Sequence, residues 1–230
     1  MPRVARFVAV GLLHHVTHQG NNQECVFLTE GDRLEYLARI RFYGEQAGVA
    51  VFGFCLMSNH VHLVLRPERA DSLACLLRRA HGEYAQRFNR RRGRSGHLWR
   101  DRYYSCPLER GHVWNALRYV DLNPVRARLV ESAEQWRWSS AAAHSRKELD
   151  EFGLLDGEWR QWRDWPEWSE FLQGADSNAD KRLREQTKRC RPLGSPEFVR
   201  RWEEASGRRL EARPNGRPRK APQKTALARA

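Results

Sequence analysis

The 230-residue sequence predicts a domain that mixes β-strands with packed helices, and three observations carry that reading. Apolar, partly β-branched runs fall at residues 7–17, 49–54 and 60–65, each bounded by turn-forming residues. Residues 33–43, between the first and second runs, and residues 72–89, after the third, repeat apolar side chains at helical spacing. Only a short polar turn, Met57-Ser58-Asn59, separates the second run from the third, so the two form a hairpin.

Taken in order, Phe7 to Thr17 (FVAVGLLHHVT) reads as an opening strand that ends in the turn-rich Gln19-Gly20-Asn21-Asn22. A helix begins near Asp32 and stops between Gly44 and Gly48. After the hairpin, Ser72 to about Asn89 forms a second amphipathic helix. It sets Leu73, Leu76, Leu77, Ala80, Tyr84 and Phe88 on one side and arginines on the other. The segment from Arg90 to Tyr104 then combines arginines, glycines and aromatic residues in a loop that turns into a short strand. A third helix runs from Val113 to Val130. It bends or ends near Asn123-Pro124, because proline lacks an N–H and restricts the residue before it.

After about His144 the chain becomes Trp-, Glu- and Arg-rich, punctuated by Pro166, Pro192, Pro196 and Pro214. The expected organisation is a principal domain over residues 1–145, a smaller helical extension over 146–212 and a basic arm over 213–230. The arm has too few apolar residues to offset its ordering entropy.

Forty-one Lys and Arg against 28 Asp and Glu give a formal charge of +13, with a pI near 10.2 and a mean hydropathy of -0.79. Such a field attracts polyanions, nucleic acid first among them. No run of about 18 uncharged apolar residues is present, so a membrane-spanning helix is excluded. The N-terminus has no apolar signal region, and a cytoplasmic location is expected, in a bacterial setting associated with the nucleoid. The five cysteines are odd in number and never paired as CxxC, which argues against a disulfide framework or a cysteine zinc site.

Two patterns carry chemistry. His60-Val61-His62 sits in an apolar strand, so both imidazoles project from one face, about 6–7 Å apart at their Cα atoms, where they can share a divalent ion. On spacing alone the same pair suits a partly buried core or edge strand. Tyr119 and Asn123 lie four residues apart and therefore on one helical face. A phenol with an ordinary pKa of about 10 is a weak nucleophile at neutral pH, and needs a base or a metal-polarised electrophile. An isolated tyrosine on an amphipathic helix also serves as a core aromatic.

Met57-Ser58-Asn59-His60-Val61-His62-Leu63-Val64 resembles the His-hydrophobic-His motif of single-tyrosine transposases, and Tyr119-Val120-Asp121-Leu122-Asn123-Pro124-Val125 resembles their nucleophile helix. The chain is most similar to the REP-associated tyrosine transposases. Their landmarks appear as His15-Val16-Thr17 with Gly20-Asn21, Phe88-Asn89, Gly96-His97-Leu98-Trp99, Arg102-Tyr103 and Trp138-Ser139-Ser140. The resemblance covers roughly residues 5–145, and Gly207 to Arg219 is similar to the tail of many members. Gln19 departs from the arginine expected before Gly20-Asn21.

The resemblance implies an α+β domain of ferredoxin-like type, whose antiparallel sheet bears the two histidines beneath a helix carrying the tyrosine. By the same resemblance His60, His62 and Asn123 bind Mg²⁺ or Mn²⁺, and Tyr119 attacks a DNA phosphate to leave a 5′-phosphotyrosine and a free 3′-OH. Single-stranded or hairpin DNA is the implied substrate, as repeated extragenic palindromes or insertion-sequence ends, and no further cofactor is needed. Arg90, Arg91, Arg92, Arg94, His97, Arg100 and Arg102 are candidate phosphate contacts, and Trp99, Tyr103 and Tyr104 candidate stacking surfaces for bases. A non-catalytic DNA- or RNA-binding regulator on the same fold is the alternative. Both dimeric and monomeric relatives exist, so a homodimer stays open.

Overall fold

The computed structural model describes residues 6–174 and 177–211; the expected basic arm lies outside the described residues. The elements that position the site are β1 (His14–Gln19), α1 (Glu30–Ala47), β2 (Val49–Leu56), β3 (His60–Pro67), α2 (Ser72–Arg91) and β4 (Tyr104–Pro107). The strands form one antiparallel sheet in the order β2-β3-β1-β4, the βαββαβ arrangement of a ferredoxin-like α+β fold. α3 (Val113–Asp121), α4 (Asn123–Arg126), α5 (Ala141–Arg146), α6 (Trp168–Gln173), α7 (Ser177–Arg189) and α8 (Pro196–Ser206) follow.

The opening strand is shorter and later than the apolar run suggests. Gly11 turns the chain at φ +78°, and Phe7 and Ala9 pack against Leu210 and Trp202 near α8 instead of joining the sheet. α1 starts at a capping box in which Thr29 and Asp32 satisfy each other's backbone N–H groups, and it ends at Gly48 in the left-handed region, φ +60°.

The third helical run divides at Leu122, as Pro124 requires: α3 stops at Asp121 and α4 resumes at Asn123. Because Pro124 has no N–H for the Val120 carbonyl, the Asn123 side chain supplies one. Its Nδ2 donates to Val120 O at 3.3 Å and to Tyr119 O at 2.7 Å. α3 reaches the sheet at Gly53, where an added Cβ would stand 2.7 Å from Leu117 Cδ2.

β1 alternates His14, Val16 and His18 toward α1 and α2, and His15, Thr17 and Gln19 toward the opposite face. One apolar cluster runs from Leu13 to Leu193, so the extension adds to the core of the principal domain through Leu154, Trp159, Trp168 and Leu183. Trp165 stacks on Trp168 at 4.8 Å between ring centroids, and Trp162 on Phe52 at 5.3 Å, which gives these indoles packing roles. Among the described residues no helix is long and apolar enough to cross a membrane.

Candidate active site

A cleft of about 220 Å³ opens on the sheet face away from α1 and α2. β1 contributes His15, Thr17 and Gln19, β3 contributes His60 and His62, α3 contributes Tyr119, and α7 closes it with Arg184, Thr187 and Lys188. The register explains the grouping. His62 pairs with Thr17 and His60 with Gln19, so the period of two puts all five strand side chains on one face.

Three imidazoles and the Tyr119 phenol meet here, with Tyr104 of β4 also on the lining. The His60 and His62 rings stand edge to face with centroids 5.0 Å apart, and the Tyr119 ring lies edge-on to His62 at 5.5 Å and to His15 at 5.6 Å. His60 Nδ1 donates to Asn59 Oδ1 at 2.6 Å. Asn59 is held the right way round by its own Nδ2 donating to Gln23 O. That bond fixes the tautomer and leaves His60 Nε2 as a lone pair. His62 Nδ1 lies 2.9 Å from His15 Nε2, and His15 Nδ1 lies 2.8 Å from Thr187 Oγ1. If each ring carries its proton on Nδ1, His62 donates to His15 and His15 to Thr187, and His62 Nε2 is also free.

Burial keeps all three rings neutral. It pushes His15 down to about 3 and His60 to about 4. His62 is held well below the usual imidazole range by burial, with the His60, His15 and Arg126 charges adding to it. Neutral imidazole is the form that ligates a metal. His60 and His62 can therefore offer Nε2 to a divalent cation, whereas Asn123 does not line this cleft and its Nδ2 is held by the Tyr119 and Val120 carbonyls of α3. Among the described residues no group of three or more His, Cys, Asp and Glu stands at metal-holding spacing.

Burial raises the Tyr119 phenol, while Arg184 and Arg126 draw it partly back. Arg126 lies 4.9 Å over the Tyr119 ring, donates to Tyr119 O at 2.8 Å and pairs with Asp180 of α7. It thus ties α4, the end of α3 and α7 together behind the phenol.

The arginine-rich segment is arranged differently from its sequence reading. Trp99 presents no open face: it is 8% exposed, stacks on His81 at 4.6 Å and His18 at 4.9 Å, and donates from Nε1 to His81 O. Tyr103 is likewise buried, with the Arg6 guanidinium 4.2 Å over its ring. Only Tyr104, half-buried, reaches the cleft. Arg91 pairs with Asp32 and Glu35, Arg92 with Asp32, and Arg94 with Glu24, so these cations brace α2 against α1 and the first loop. Arg90, His97, Arg100 and Arg102 are exposed.

Sequence reading missed α7. Arg184, Thr187 and Lys188 lie on one helical face at spacings of three and four, a signal that was present but had no motif to attach to. The hydrogen-bond role of His15 was also missed, although the residue itself stands out beside Val16-Thr17.

Residues 10–123 match the family described as "Transposase IS200 like". A REP-associated tyrosine transposase solved bound to a REP hairpin superposes with a TM-score of 0.52 at 18% identity, covering 69% of this chain and 91% of that one. A Deinococcus radiodurans R1 protein provisionally assigned as a transposase gives a TM-score of 0.35 at 18% identity, covering 55% of this chain and 92% of that one. No curated protein matches the chain.

Proposed function

The chain belongs to the IS200-like transposase family through residues 10–123, and from that premise we propose that it nicks and rejoins single-stranded or hairpin DNA through a 5′-phosphotyrosine formed on Tyr119. The observation that carries the proposal is the convergence of Tyr119, His60 and His62 in one cleft, with cations of α7 on its rim. One tyrosine cuts one strand, which favours an unpaired backbone.

The Tyr119 hydroxyl oxygen attacks phosphorus, the Oη–P bond forms, and the bond to the 3′ oxygen breaks to leave a 3′-OH. Rejoining is the reverse attack by a 3′-OH, and the covalent link conserves the phosphodiester energy. His60 and His62 would hold a divalent ion, with Asn123 as the third ligand that the family resemblance implies, and the ion would supply Lewis-acid polarisation of the phosphate. Arg184 and Lys188 offset charge on the phosphate oxygens. The Asn59–His60 bond and the Thr187–His15–His62 chain hold the two ligand rings in orientation. Arg126 fixes the end of α3, and with it the direction of the phenol.

Repeated extragenic palindromes fit as the substrate class. The REP-associated landmarks in the sequence support this, as does the fold shared with the REP-hairpin-bound transposase. The test is a denaturing gel with a hairpin bearing single-stranded flanks, labelled 3′ to the cut. The parent protein forms a covalent adduct with Mg²⁺ or Mn²⁺ present. Tyr119→Phe folds and binds DNA but forms none. An adduct from Tyr119→Phe moves the nucleophile elsewhere, and no adduct from the parent with any hairpin favours a DNA-binding regulator without chemistry.

A further inference from the structure

A second, larger cleft of about 530 Å³ lies beside the first, and Tyr104 lines both. Stretches remote in sequence converge on it: Arg6 before β1, Arg102 before β4, Arg189 and Arg191 at the end of α7, and Arg208 and Arg209 after α8. A single carboxylate, Asp101, lines it with these arginines, so the wall carries a surplus of five positive charges.

The cleft is built rather than accidental. Phe7 packs edge-on against Trp202 at 5.6 Å, with Leu210 buried in the same small cluster. Glu203 Oε1 accepts from Leu210 N at 2.6 Å and Glu211 N at 2.8 Å, and Arg191 Nη1 donates to Glu211 O at 2.5 Å. The segment bearing Arg208 and Arg209 is thereby tied back onto α8. Arg6 is held over Tyr103 with its Nε buried and without a hydrogen-bond partner. Burial lowers its pKa, and Arg102 adds to that lowering. Crowding guanidinium groups around a recess costs energy that a bound anion offsets, and a recess of one sign focuses its field on such an anion.

We infer that this arginine cleft binds the phosphodiester backbone of the single strand running to or from the scissile phosphate in the Tyr119 cleft. The inference rests on the proposed DNA-joining role and adds to it a strand-holding site. Apart from Arg102, the cleft's arginines lie outside the family match at residues 10–123. Planar guanidinium forks suit phosphate oxygens bidentately. Tyr104, at the boundary, connects one recess to the other, so a backbone lying in both needs no break.

The test is fluorescence anisotropy in a chelator, which prevents cutting, with a hairpin carrying single-stranded flanks and the same hairpin trimmed to its stem. Arg189→Gln/Arg209→Gln alters two exposed side chains outside the Tyr119 cleft. It should weaken binding of the flanked hairpin about tenfold and reduce its log–log salt slope by about 1.4, two single-strand phosphate contacts at about 0.7 each. Stem binding should change less than about twofold, and each single variant, the safeguard if the double variant melts early, should cost about threefold. Equal losses for flanked and trimmed hairpins, or none for either, overturn the strand assignment. Inorganic phosphate and a mononucleotide, tested by thermal shift, form the second arm. Stabilisation of the parent but not the double variant, with flanked-hairpin affinity unchanged, makes this a free-anion site and overturns the strand as occupant. Failure of the parent to bind either hairpin overturns the underlying DNA reading and this inference with it; binding by the parent with no loss in the variants overturns the cleft alone.

Discussion

Asp121 follows the proposed nucleophile by two residues and is fully buried, where it accepts three hydrogen bonds: from Ser140 Oγ at 2.7 Å, His144 Nδ1 at 2.7 Å and Trp168 Nε1 at 3.0 Å. Its partners are themselves fastened to β2, since His144 Nε2 faces Phe52 O at 3.0 Å and Ser140 Oγ accepts from Phe54 N at 3.1 Å. The carboxylate thus pins the C-terminal end of α3 to the strand that passes beneath it. Asp121→Ala strands three buried donors at about 1–3 kcal/mol each, which, with the partial relaxation expected around a small cavity, comes to about 4–5 kcal/mol. At about 2–4 °C per kcal/mol for a chain of this size, the melting temperature should fall by about 8–20 °C. Asp121→Asn keeps one acceptor oxygen and should cost about half as much. Circular-dichroism melting measures both, and adduct formation at a temperature where Asp121→Asn is folded measures the effect on the phenol, expected at about a tenfold loss in rate. A fall of less than about 3 °C for Asp121→Ala would refute the idea that this network anchors α3.

His60→Ala and His62→Ala should each abolish metal-dependent adduct formation while leaving hairpin affinity within about threefold, because the phosphate-tracking cations lie elsewhere; an adduct at the parental rate from either variant refutes their role as ligands. Burial pushes His14 down to about 4 from the ordinary 6.5, so it stabilises the fold above pH 6.5 in its neutral form and this contribution is lost as pH falls toward 4. Urea denaturation at pH 7 and pH 5 should show a loss of about 2 kcal/mol from this residue, and a flat profile over that range contradicts it. Removing residues 212–230 should weaken DNA binding and flatten its salt dependence without stopping the chemistry, which an affinity-versus-salt titration tests through the change in slope.

Where side-chain period and turn chemistry act locally, the sequence was readable. The β2–β3 hairpin followed from β-branched runs around a polar turn, and the break before Pro124 from the missing N–H. The first strand was misjudged because periodicity does not distinguish apolar residues that pair in a sheet from those that pack beside it. Phe7 and Ala9 find their partners nearly two hundred residues away, at Trp202 and Leu210. The same limit explains Trp99: an aromatic residue among arginines looks like a base-stacking surface until the fold brings His18 and His81 against its ring. Charge is similarly ambiguous, since Asp32 and Glu35, which employ Arg91 and Arg92, stand on another helix.

The composition change after His144 suggested an appended unit, yet the site is incomplete without it. α7 supplies the hydroxyl that ends the His62–His15 chain, two cations on the cleft rim, and, through Asp180, the partner that holds Arg126 against Tyr119. These links join residues 126 and 180, and 15 and 187, distances along the chain that no motif spans. A helix whose exposed face is mostly basic reads in isolation as solvated; laid across β1 and α3, α7 instead roofs the Tyr119 cleft with Arg184, Thr187 and Lys188. The extension and the His-x-His strand therefore form one physical unit, and a fragment ending near residue 145 would expose His15, lose the Asp180 anchor of Arg126 and retain the histidine pair without the surroundings that orient it.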